Sequence, residues 1–343
     1  MAHLPTDPPT VQAIYQWHEK NAYQGNRPHL GGSMIGHECD RHLFYSFRWV
    51  LSKAFNGRML RLFETGQLAE DRFVAELRGI GATVWDVDPD TGKQFRISDC
   101  GGHFGGSLDG VGLGIENSSK PHVLEFKTHN AKSFKELKAK GVEVAKPQHY
   151  AQMQVYGYKM DIPRALYVAS NKDTDELYSE RVEIKKTEGK RLIERAHRII
   201  FTDRAPSRMS EDPAFYKCKF CDHHAICHGN KPPEANCRTC AFVTPKEDGT
   251  WHCEHHNKTL STDNQRAGCE RHLYNPEMLN IEATQFDPDA HRITYATGLV
   301  NGDGGYQSAD LAKLDDLTVI DATVTEMAAA FGARIVEAPD DSQ

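Results

Sequence analysis

Residues 122–127, which read HVLEFK, constrain the fold more than any other stretch of the sequence. Apolar and polar residues alternate along this run, and that alternation predicts a half-buried strand. Because side chains alternate between the two faces of a strand, Glu125 and Lys127 share one face, while Leu124 and Phe126 share the other. A surface strand carries such a charged pair as a solvated ladder, whereas a functional site uses it as a metal ligand beside a cation. This stretch alone leaves both interpretations open.

The length and composition allow one substantial core and a smaller appendage. Of the 343 residues, 39% are hydrophobic and 26% are charged, which is ordinary for a soluble globular protein. The sequence has no apolar run of about 18 residues, which a membrane-spanning helix needs. Its first residues, MAHLPTDPPT, lack the basic and apolar regions of a secretory signal. We therefore expect a cytoplasmic protein with no membrane partner.

The formal charge of −7 is concentrated at the carboxyl end of the chain. Residues 301–343 hold nine acids and two bases, so the charges of the other 300 residues balance. A local basic patch can bind phosphate even when the whole chain is acidic. The close lysines are Lys127, Lys132, Lys135, Lys138, Lys140 and Lys146. They fit a phosphate-binding patch or the solvated face of a helix, and the sequence does not separate the two.

The hydrophobic periodicity predicts an α/β core. The predicted helices cover residues 9–22, 38–49, 60–78, 131–139, 147–160, 186–203 and 321–331. The predicted strands cover residues 82–87, 93–97, 103–111, 122–128, 164–170 and 177–184. The second helix has an apolar face of Leu43, Phe44 and Phe47. The predicted core contacts of the third are Leu60, Phe63, Leu68, Phe73 and Leu77.

Asp109 lies near the end of the predicted strand that precedes Glu125, and the glycines around it let another group approach the backbone closely. Two adjacent strands can aim Asp109 and Glu125 at one point. Carboxylate oxygens with open water positions are the ligands that Mg²⁺ or Mn²⁺ prefers. Such a metal lowers the pKa of a bound water and stabilises charge on a phosphoryl oxygen. Lys127 would orient that water or stabilise the developing anion.

An aspartate followed by Glu-x-Lys on the next strand resembles the signature of the PD-(D/E)XK nuclease superfamily. Upstream, FETGQLAEDRF resembles the first helix of that family, with Gly66 and Glu70 in its Gly-x-x-x-Glu pattern. Downstream, QHYAQMQVYGY resembles the Gln-x-x-x-Tyr motif of the RecB-like branch, with Gln152 and Tyr156 on one helix face. The resemblance implies a restriction-endonuclease-like core, in which a mixed central sheet is flanked by helices. The implied catalytic residues are Glu70, Asp109, Glu125, Lys127, Gln152 and Tyr156, and the implied ligands of Mg²⁺ or Mn²⁺ are Glu70, Asp109, Glu125 and Phe126.

Nine cysteines are many for a cytoplasmic protein, and their spacing suggests metal binding. One cysteine before the core, Cys39, and three after it, Cys218, Cys221 and Cys227, resemble the arrangement of AddB-type nuclease domains and CRISPR-associated RecB-like exonucleases. That resemblance implies a [4Fe–4S] cluster on these four thiolates. The sequence departs from the usual Cys-Pro-Arg segment, because Asp40 replaces the proline. The alternative is zinc on the three later cysteines and one histidine, which would be His223, His224 or His228.

A second group of cysteines begins with the knuckle CRTC at residues 237–240. A Cys-x-x-Cys knuckle with two further cysteines indicates a structural zinc site, because four thiolates leave no open position. The predicted ligands are Cys237, Cys240, Cys253 and Cys269, and His256 and His272 are possible substitutes. The remaining thiol, Cys100, has no predicted role.

The sequence therefore predicts four segments and one activity. The segments are an N-terminal helical arm (1–35), a RecB-like nuclease domain closed by the cluster (36–228), a Cys-rich zinc-binding segment (229–275) and a small acidic unit (276–343). The expected activity is metal-dependent hydrolysis of DNA, as an exonuclease at ends or on single strands in phage-type recombination, replication or repair. The expected partners are DNA and a recombination or replication protein. The alternatives are a structure-specific or restriction-like endonuclease, a DNA-binding scaffold with a vestigial site, and a zinc-based interaction module.

Overall fold

The computed structural model describes residues 7–22 and 25–320. Its helices are α1 (Pro9–Asn21), α2 (Asp40–Phe47), α3 (Gly57–Gly79), α4 (Ala131–Ala145), α5 (Pro147–Met160), α6 (Lys186–Phe201), α7 (Tyr216–Lys219), α8 (His224–Cys227), α9 (Thr262–Ala267) and α10 (Ser308–Leu311). Its strands are β1 (Leu30–Gly31), β2 (Thr83–Trp85), β3 (Arg96–Asp99), β4 (Phe104–Ser107), β5 (Gly110–Leu113), β6 (His122–His129), β7 (Arg164–Asn171), β8 (Leu177–Glu183), β9 (Val243–Pro245), β10 (Trp251–Cys253), β11 (Lys258–Leu260), β12 (Ala283–Asp287), β13 (Arg292–Tyr295) and β14 (Val300–Gly302).

The described residues form two compact units. The first takes the chain up to Glu38 together with Lys53–His197, and the second takes Cys39–Ser52 together with the chain from Arg198 onwards. The four-segment division of the sequence stays a prediction, and the helix predicted at 321–331 lies outside the described residues. No helix in the described part of the chain combines the length and the apolar character that a membrane crossing requires.

A mixed five-stranded sheet organises the first unit, with the order β2-β5-β6-β7-β8. The β6 and β7 strands pair in parallel, while the other neighbours are antiparallel. One face of the sheet packs against α3, where Phe73 and Val74 join Leu124 and Phe126 in a buried cluster. The other face of β6 and β7 packs against α5. The predicted α/β architecture, a mixed sheet flanked by helices, is confirmed.

The prediction of a half-buried strand at 122–128 was wrong, because β6 is buried on both faces. It pairs with β5 on one edge and β7 on the other. Its two faces are covered by helices, one by α3 and the other by α5. Glu125 consequently has no exposed surface. The alternation of the sequence here separates an apolar face that packs on α3 from a polar face on which Glu125 is fully buried and Lys127 is partly buried.

The strand predicted at 103–111 is two strands. The β4 strand pairs with β1 and β3 in a small sheet, whereas β5 joins the five-stranded sheet. Asp109 lies in the short link between them. On α3, Phe73 is buried as predicted, but Phe63 and Leu68 remain 43% and 66% exposed, so their assignment to the core was wrong.

The second unit contains α2, whose Leu43, Phe44 and Phe47 are buried as predicted. Two three-stranded antiparallel sheets follow, with the orders β11-β10-β9 and β12-β13-β14. A hydrophobic cluster joins the chain that follows Cys269 to the sheet β12-β13-β14. The cluster includes Leu273, Tyr274, Ile293 and Tyr295.

Candidate active site

The central carboxylate of the site is Glu125, in the middle of β6. The α5 helix covers this position, and Gln152 Nε2 donates a hydrogen bond of 2.9 Å to Glu125 Oε2. Both side chains are buried. The other carboxylate oxygen, Oε1, forms an ion pair with Lys127. One carboxylate oxygen is thus held by the helix, and the other faces a cation.

Asp109 is held against the same strand from the link between β4 and β5. Its Oδ2 accepts a hydrogen bond of 2.7 Å from the backbone N–H of Phe126. Because that bond fixes the carboxylate beside β6, Asp109 and Glu125 lie at one site although they belong to different elements. The sequence predicted this convergence, but it placed Asp109 on a strand end instead of in a link.

Lys127 lies among the predicted metal ligands. Its Nζ donates a 2.9 Å hydrogen bond to the main-chain carbonyl of Phe126 and lies 3.8 Å from Asp109 Oδ2, besides its contact with Glu125. The apolar side chain of Phe126 packs on the α3 face, so only its carbonyl oxygen is available as a ligand. The lysine therefore touches three of the groups that were predicted to bind a metal.

Glu70, which is half-buried on α3, completes the group. Burial raises its pKa to about 7, and the charge of Asp109 adds to that increase. The pKa of Glu125 is likewise raised to about 7 by burial, against the attraction of Lys127, while Asp109 and Glu70 raise it further. Burial alone would lower the pKa of Lys127, but the surrounding carboxylates raise it. Three carboxylates against one ammonium leave an excess of two negative charges when all are ionised.

Tyr156 lies one turn beyond Gln152 on the same face of α5, and it is buried. Two glycines make room for its ring. A Cβ atom at Gly32 would lie 2.7 Å from Tyr156 Cε1, and one at Gly106 would overlap the hydroxyl group. Burial raises the pKa of Tyr156, and the charges of Glu125 and Asp109 raise it further. This tyrosine therefore stays protonated beside the carboxylates.

The site also contains a chain of hydrogen bonds that the sequence did not reveal. Tyr167 OH lies 2.8 Å from His129 Nε2 and 2.9 Å from His149 Nδ1, and Ser133 Oγ lies 3.1 Å from His129 Nδ1. Tyr167 is the partner of Glu125 in the parallel β6–β7 register, so both side chains face α5. The available signal was spacing: His129 follows Lys127 by two residues on a strand, and His149 precedes Gln152 by three on a helix.

Both histidines are neutral at pH 7. Burial lowers the pKa of His129 to about 4 and that of His149 to about 3, and nearby lysines, including Lys127, contribute. The hydroxyl of Tyr167 lies within hydrogen-bonding distance of both rings, which orients them beside the carboxylate site.

The lysines of α4 are partly neutralised by acids. Lys138 forms an ion pair with Glu176, and Lys140 lies 2.9 Å from Glu136. Both pairs are on exposed surface. These contacts favour a solvated helix face for these two lysines.

The two cysteine groups both lie in the second unit. Burial raises the pKa values of Cys221 and Cys227, and the nearby charge of Cys39 adds to both increases. His42 Nδ1 lies 3.4 Å from Cys221 Sγ. Cys218 is buried one turn away, where its carbonyl accepts from the backbone N–H of Cys221. Three of the four predicted cluster ligands, Cys39, Cys221 and Cys227, are therefore electrostatic neighbours. The fourth, Cys218, lies three residues before Cys221 in the chain.

The four predicted zinc ligands line one cavity together with His256 and His272. Burial raises the pKa of Cys237 to about 12, and the charges of Cys240, Cys269 and Cys253 contribute to it. His272 is buried, and its Nε2 lies 3.1 Å from Thr239 Oγ1. Within residues 7–22 and 25–320, no three His, Cys, Asp or Glu side chains are already arranged to hold a metal ion. The Mg²⁺ or Mn²⁺ site, the iron–sulfur site and the zinc site therefore all stay predictions.

Comparison with known proteins gives only distant likenesses. No protein-family model matches the sequence, and no curated protein matches it. Among solved structures, one described as SSO0001 is 15% identical, with a TM-score of 0.38, over 65% of this chain and 98% of that chain. The alkaline exonuclease LHK-Exo of Laribacter hongkongensis is 17% identical, with a TM-score of 0.35, over 51% of this chain and 87% of that chain. LHK-Exo in complex with dAMP is 14% identical, with a TM-score of 0.35, over 55% and 89%.

Proposed function

We propose that the first unit is a metal-dependent nuclease that hydrolyses phosphodiester bonds of DNA. The observation that carries this proposal is the convergence of Asp109, Glu125 and Lys127 at one buried point, with Glu70 in electrostatic range. Burying several carboxylates together is unfavourable unless a cation compensates them. One ammonium leaves two negative charges in excess, so the donor set fits a divalent cation.

The groups that would hold Mg²⁺ or Mn²⁺ are Glu70, Asp109, Glu125 and the main-chain carbonyl of Phe126. Oxygen donors of this kind suit these hard cations. A bound cation lowers the pKa of a coordinated water and stabilises charge on a phosphoryl oxygen. Lys127 is placed to orient the attacking water or to stabilise the anion that develops.

The remaining residues of the site position these groups. Gln152 holds one oxygen of Glu125, which leaves the other oriented towards Lys127. Tyr156 closes the site against Gly32 and Gly106, and its hydroxyl stays protonated. Both residues match the motif of the RecB-like branch, so the proposed fold is the restriction-endonuclease-like core of that branch.

The proposed reaction is exonucleolytic, on DNA ends or single strands, during phage-type recombination, replication or repair with a partner protein. A structure-specific or restriction-like endonuclease would use the same carboxylates. The two differ in whether a free end is required. A scaffold with a vestigial site would instead bind DNA without cutting it.

The two cysteine groups are proposed as metal sites of the second unit. Cys39, Cys218, Cys221 and Cys227 would hold a [4Fe–4S] cluster, because three of these thiols are already electrostatic neighbours. The alternative zinc site would replace Cys39 with a histidine. Cys237, Cys240, Cys253 and Cys269 would hold a structural zinc, because they line one cavity. His272 is the stronger substitute, since its Nδ1 is buried without a hydrogen-bond partner among the described residues.

The proposal is tested with purified full-length protein, Mg²⁺ or Mn²⁺, and linear and circular DNA in single- and double-stranded form. We expect hydrolysis that stops on removal of the divalent cation and that Glu125→Gln abolishes. Glu183→Gln is the control, because that glutamate is on β8 with a 63% exposed side chain and its ion pair is with Arg164, 3.3 Å away. Digestion of linear DNA alone supports the exonuclease. Cutting of circles indicates the endonuclease, and hydrolysis by Glu125→Gln at the wild-type rate contradicts the site.

A further inference from the structure

Two aromatic rings of the second unit, four residues apart in the chain, are exposed. Tyr216 is 62% exposed and Phe220 is 81% exposed. Scattered exposed apolar side chains are normal on soluble proteins. These two belong to one short run, residues 215–220, which reads FYKCKF and holds two lysines; the nearest acids in the chain are Asp212 and Asp222.

Both rings lie beside one buried position of the chain. Cys218 on α7 is buried, while Tyr216, two residues before it, and Phe220, two residues after it, are exposed. Tyr216 is the first residue of α7, and Phe220 directly follows its last residue. The two exposed side chains therefore belong to one turn of the chain.

Each ring has a cation beside it. Lys217 Nζ lies 5.7 Å from the ring centroid of Tyr216, and Lys219 Nζ lies 5.9 Å from that of Phe220. Exposed rings stack on unpaired bases of any sequence, and neighbouring ammonium groups contact the phosphates that link those bases. Base pairs of a duplex are stacked on each other and offer no free faces to such rings. The chemistry of this surface therefore matches a single strand.

We propose that Tyr216, Lys217, Lys219 and Phe220 form a docking surface for single-stranded DNA. This inference rests on the proposed function, because it takes DNA as the substrate. It adds that the second unit binds single-stranded DNA through this docking surface, in addition to the carboxylate site of the first unit. It also implies a preference for substrates that contain an unpaired segment.

The test measures binding by fluorescence anisotropy of a labelled oligo(dT) and of a blunt duplex. All variants are made in full-length protein carrying Glu125→Gln, so that no DNA is consumed. Stacking of two bases, taken at the lower end of the usual contribution, corresponds to about 30-fold in affinity. We therefore expect Tyr216→Ala with Phe220→Ala to weaken oligo(dT) binding by about 30-fold or more and to leave duplex binding within about threefold.

Three further variants make the test specific. Phe286→Ala is the matched control, because Phe286 is a 51% exposed aromatic residue of the same unit without this arrangement, and it should change nothing. Phe220→Trp should retain binding, since it preserves a stacking ring. Lys217→Gln with Lys219→Gln should reduce the slope of log affinity against log salt concentration by about 1.4.

Unchanged oligo(dT) affinity in the double ring variant overturns the proposal, and so does an equal loss for oligo(dT) and duplex. If that variant binds normally while the protein without Glu125→Gln digests DNA, only the docking surface is wrong. If the protein neither binds nor digests any DNA, the proposed function fails together with it.

Discussion

Glu125→Gln should inactivate the protein and at the same time stabilise its metal-free form at pH 8. The pKa of Glu125 is raised from 4.5 to about 7 by burial. A carboxyl whose pKa is higher in the folded state favours folding while it is protonated, and that contribution is lost as the pH rises from 4.5 through 7. At pH 8 the ionised, buried carboxylate opposes folding, whereas a glutamine of the same shape carries no charge.

The size of the effect follows from the pKa difference. A difference of about 2.5 units at about 1.4 kcal/mol per unit gives about 3 kcal/mol at pH 8 and close to zero at pH 4. Gln152 keeps an oxygen acceptor in the variant, but Lys127 loses one of its two carboxylate partners, which offsets part of the gain. We therefore expect a gain of about 1–3 kcal/mol, or an increase in Tm of at least about 2 °C.

The assay is thermal and urea unfolding of metal-free wild type, Glu125→Gln and Glu183→Gln at pH 4, 6 and 8. The stability difference between Glu125→Gln and wild type should grow with pH, while Glu183→Gln, which loses a partly exposed ion pair with Arg164, should stay within about 1 kcal/mol of wild type. Mg²⁺ should stabilise wild type at pH 8 and have little effect on Glu125→Gln. A variant that is less stable than wild type at pH 8 would show that the ion pair with Lys127 outweighs the burial of Glu125, and would refute the reasoning.

Three further predictions concern other parts of the molecule. Lys127→Gln should lower the rate of hydrolysis at least 100-fold and keep divalent-cation binding, because an ammonium is not a metal ligand. A loss of Mn²⁺ affinity as large as the loss of hydrolysis rate, measured by titration of the same variant, would contradict this role. Gly106→Ala should lower the free energy of unfolding by about 1–3 kcal/mol, because the added methyl overlaps Tyr156; Gly79→Ala, with open space around it, should be neutral or stabilising in the same denaturation experiment. Cys39→Ser should lose iron and melt earlier but keep zinc, whereas Cys100→Ser should keep both metals, as measured by metal analysis and calorimetry; full iron content and an unchanged Tm in Cys39→Ser would mean that Cys39 is no cluster ligand.

The sequence predicted the order of the main helices and strands in the first unit because strong periodicity defines most of them, but it missed β1 and merged β4 and β5 into one strand. It also predicted that Asp109, Glu125 and Lys127 converge, since two adjacent strands with glycines near Asp109 can aim these side chains at one point. The burial of β6 on both faces could not be predicted in this way. It depends on which strands and helices surround β6, and the alternation of HVLEFK resembles that of a surface strand.

The misassigned residues have similar physical causes. Phe63 and Leu68 lie on α3 with helical spacing, but α3 is long, and the five-stranded sheet is covered by Phe73, Val74 and their neighbours. The hydrogen-bond chain of His129, Tyr167 and His149 joins β6, β7 and α5. Its members are separated by 18–38 residues, so only the tertiary structure brings them together.

The most direct test of the carboxylate site is a Mn²⁺ titration of wild type, Asp109→Asn and Lys127→Gln, with DNA hydrolysis measured on the same samples. Asparagine keeps an oxygen acceptor for the backbone N–H of Phe126, so Asp109→Asn removes charge with little disturbance of the fold. We expect Asp109→Asn to lose both tight Mn²⁺ binding and hydrolysis, and Lys127→Gln to lose hydrolysis alone. Hydrolysis that continues in Asp109→Asn at the wild-type rate, with Mn²⁺ binding unchanged, would contradict a metal-dependent nuclease site at these residues.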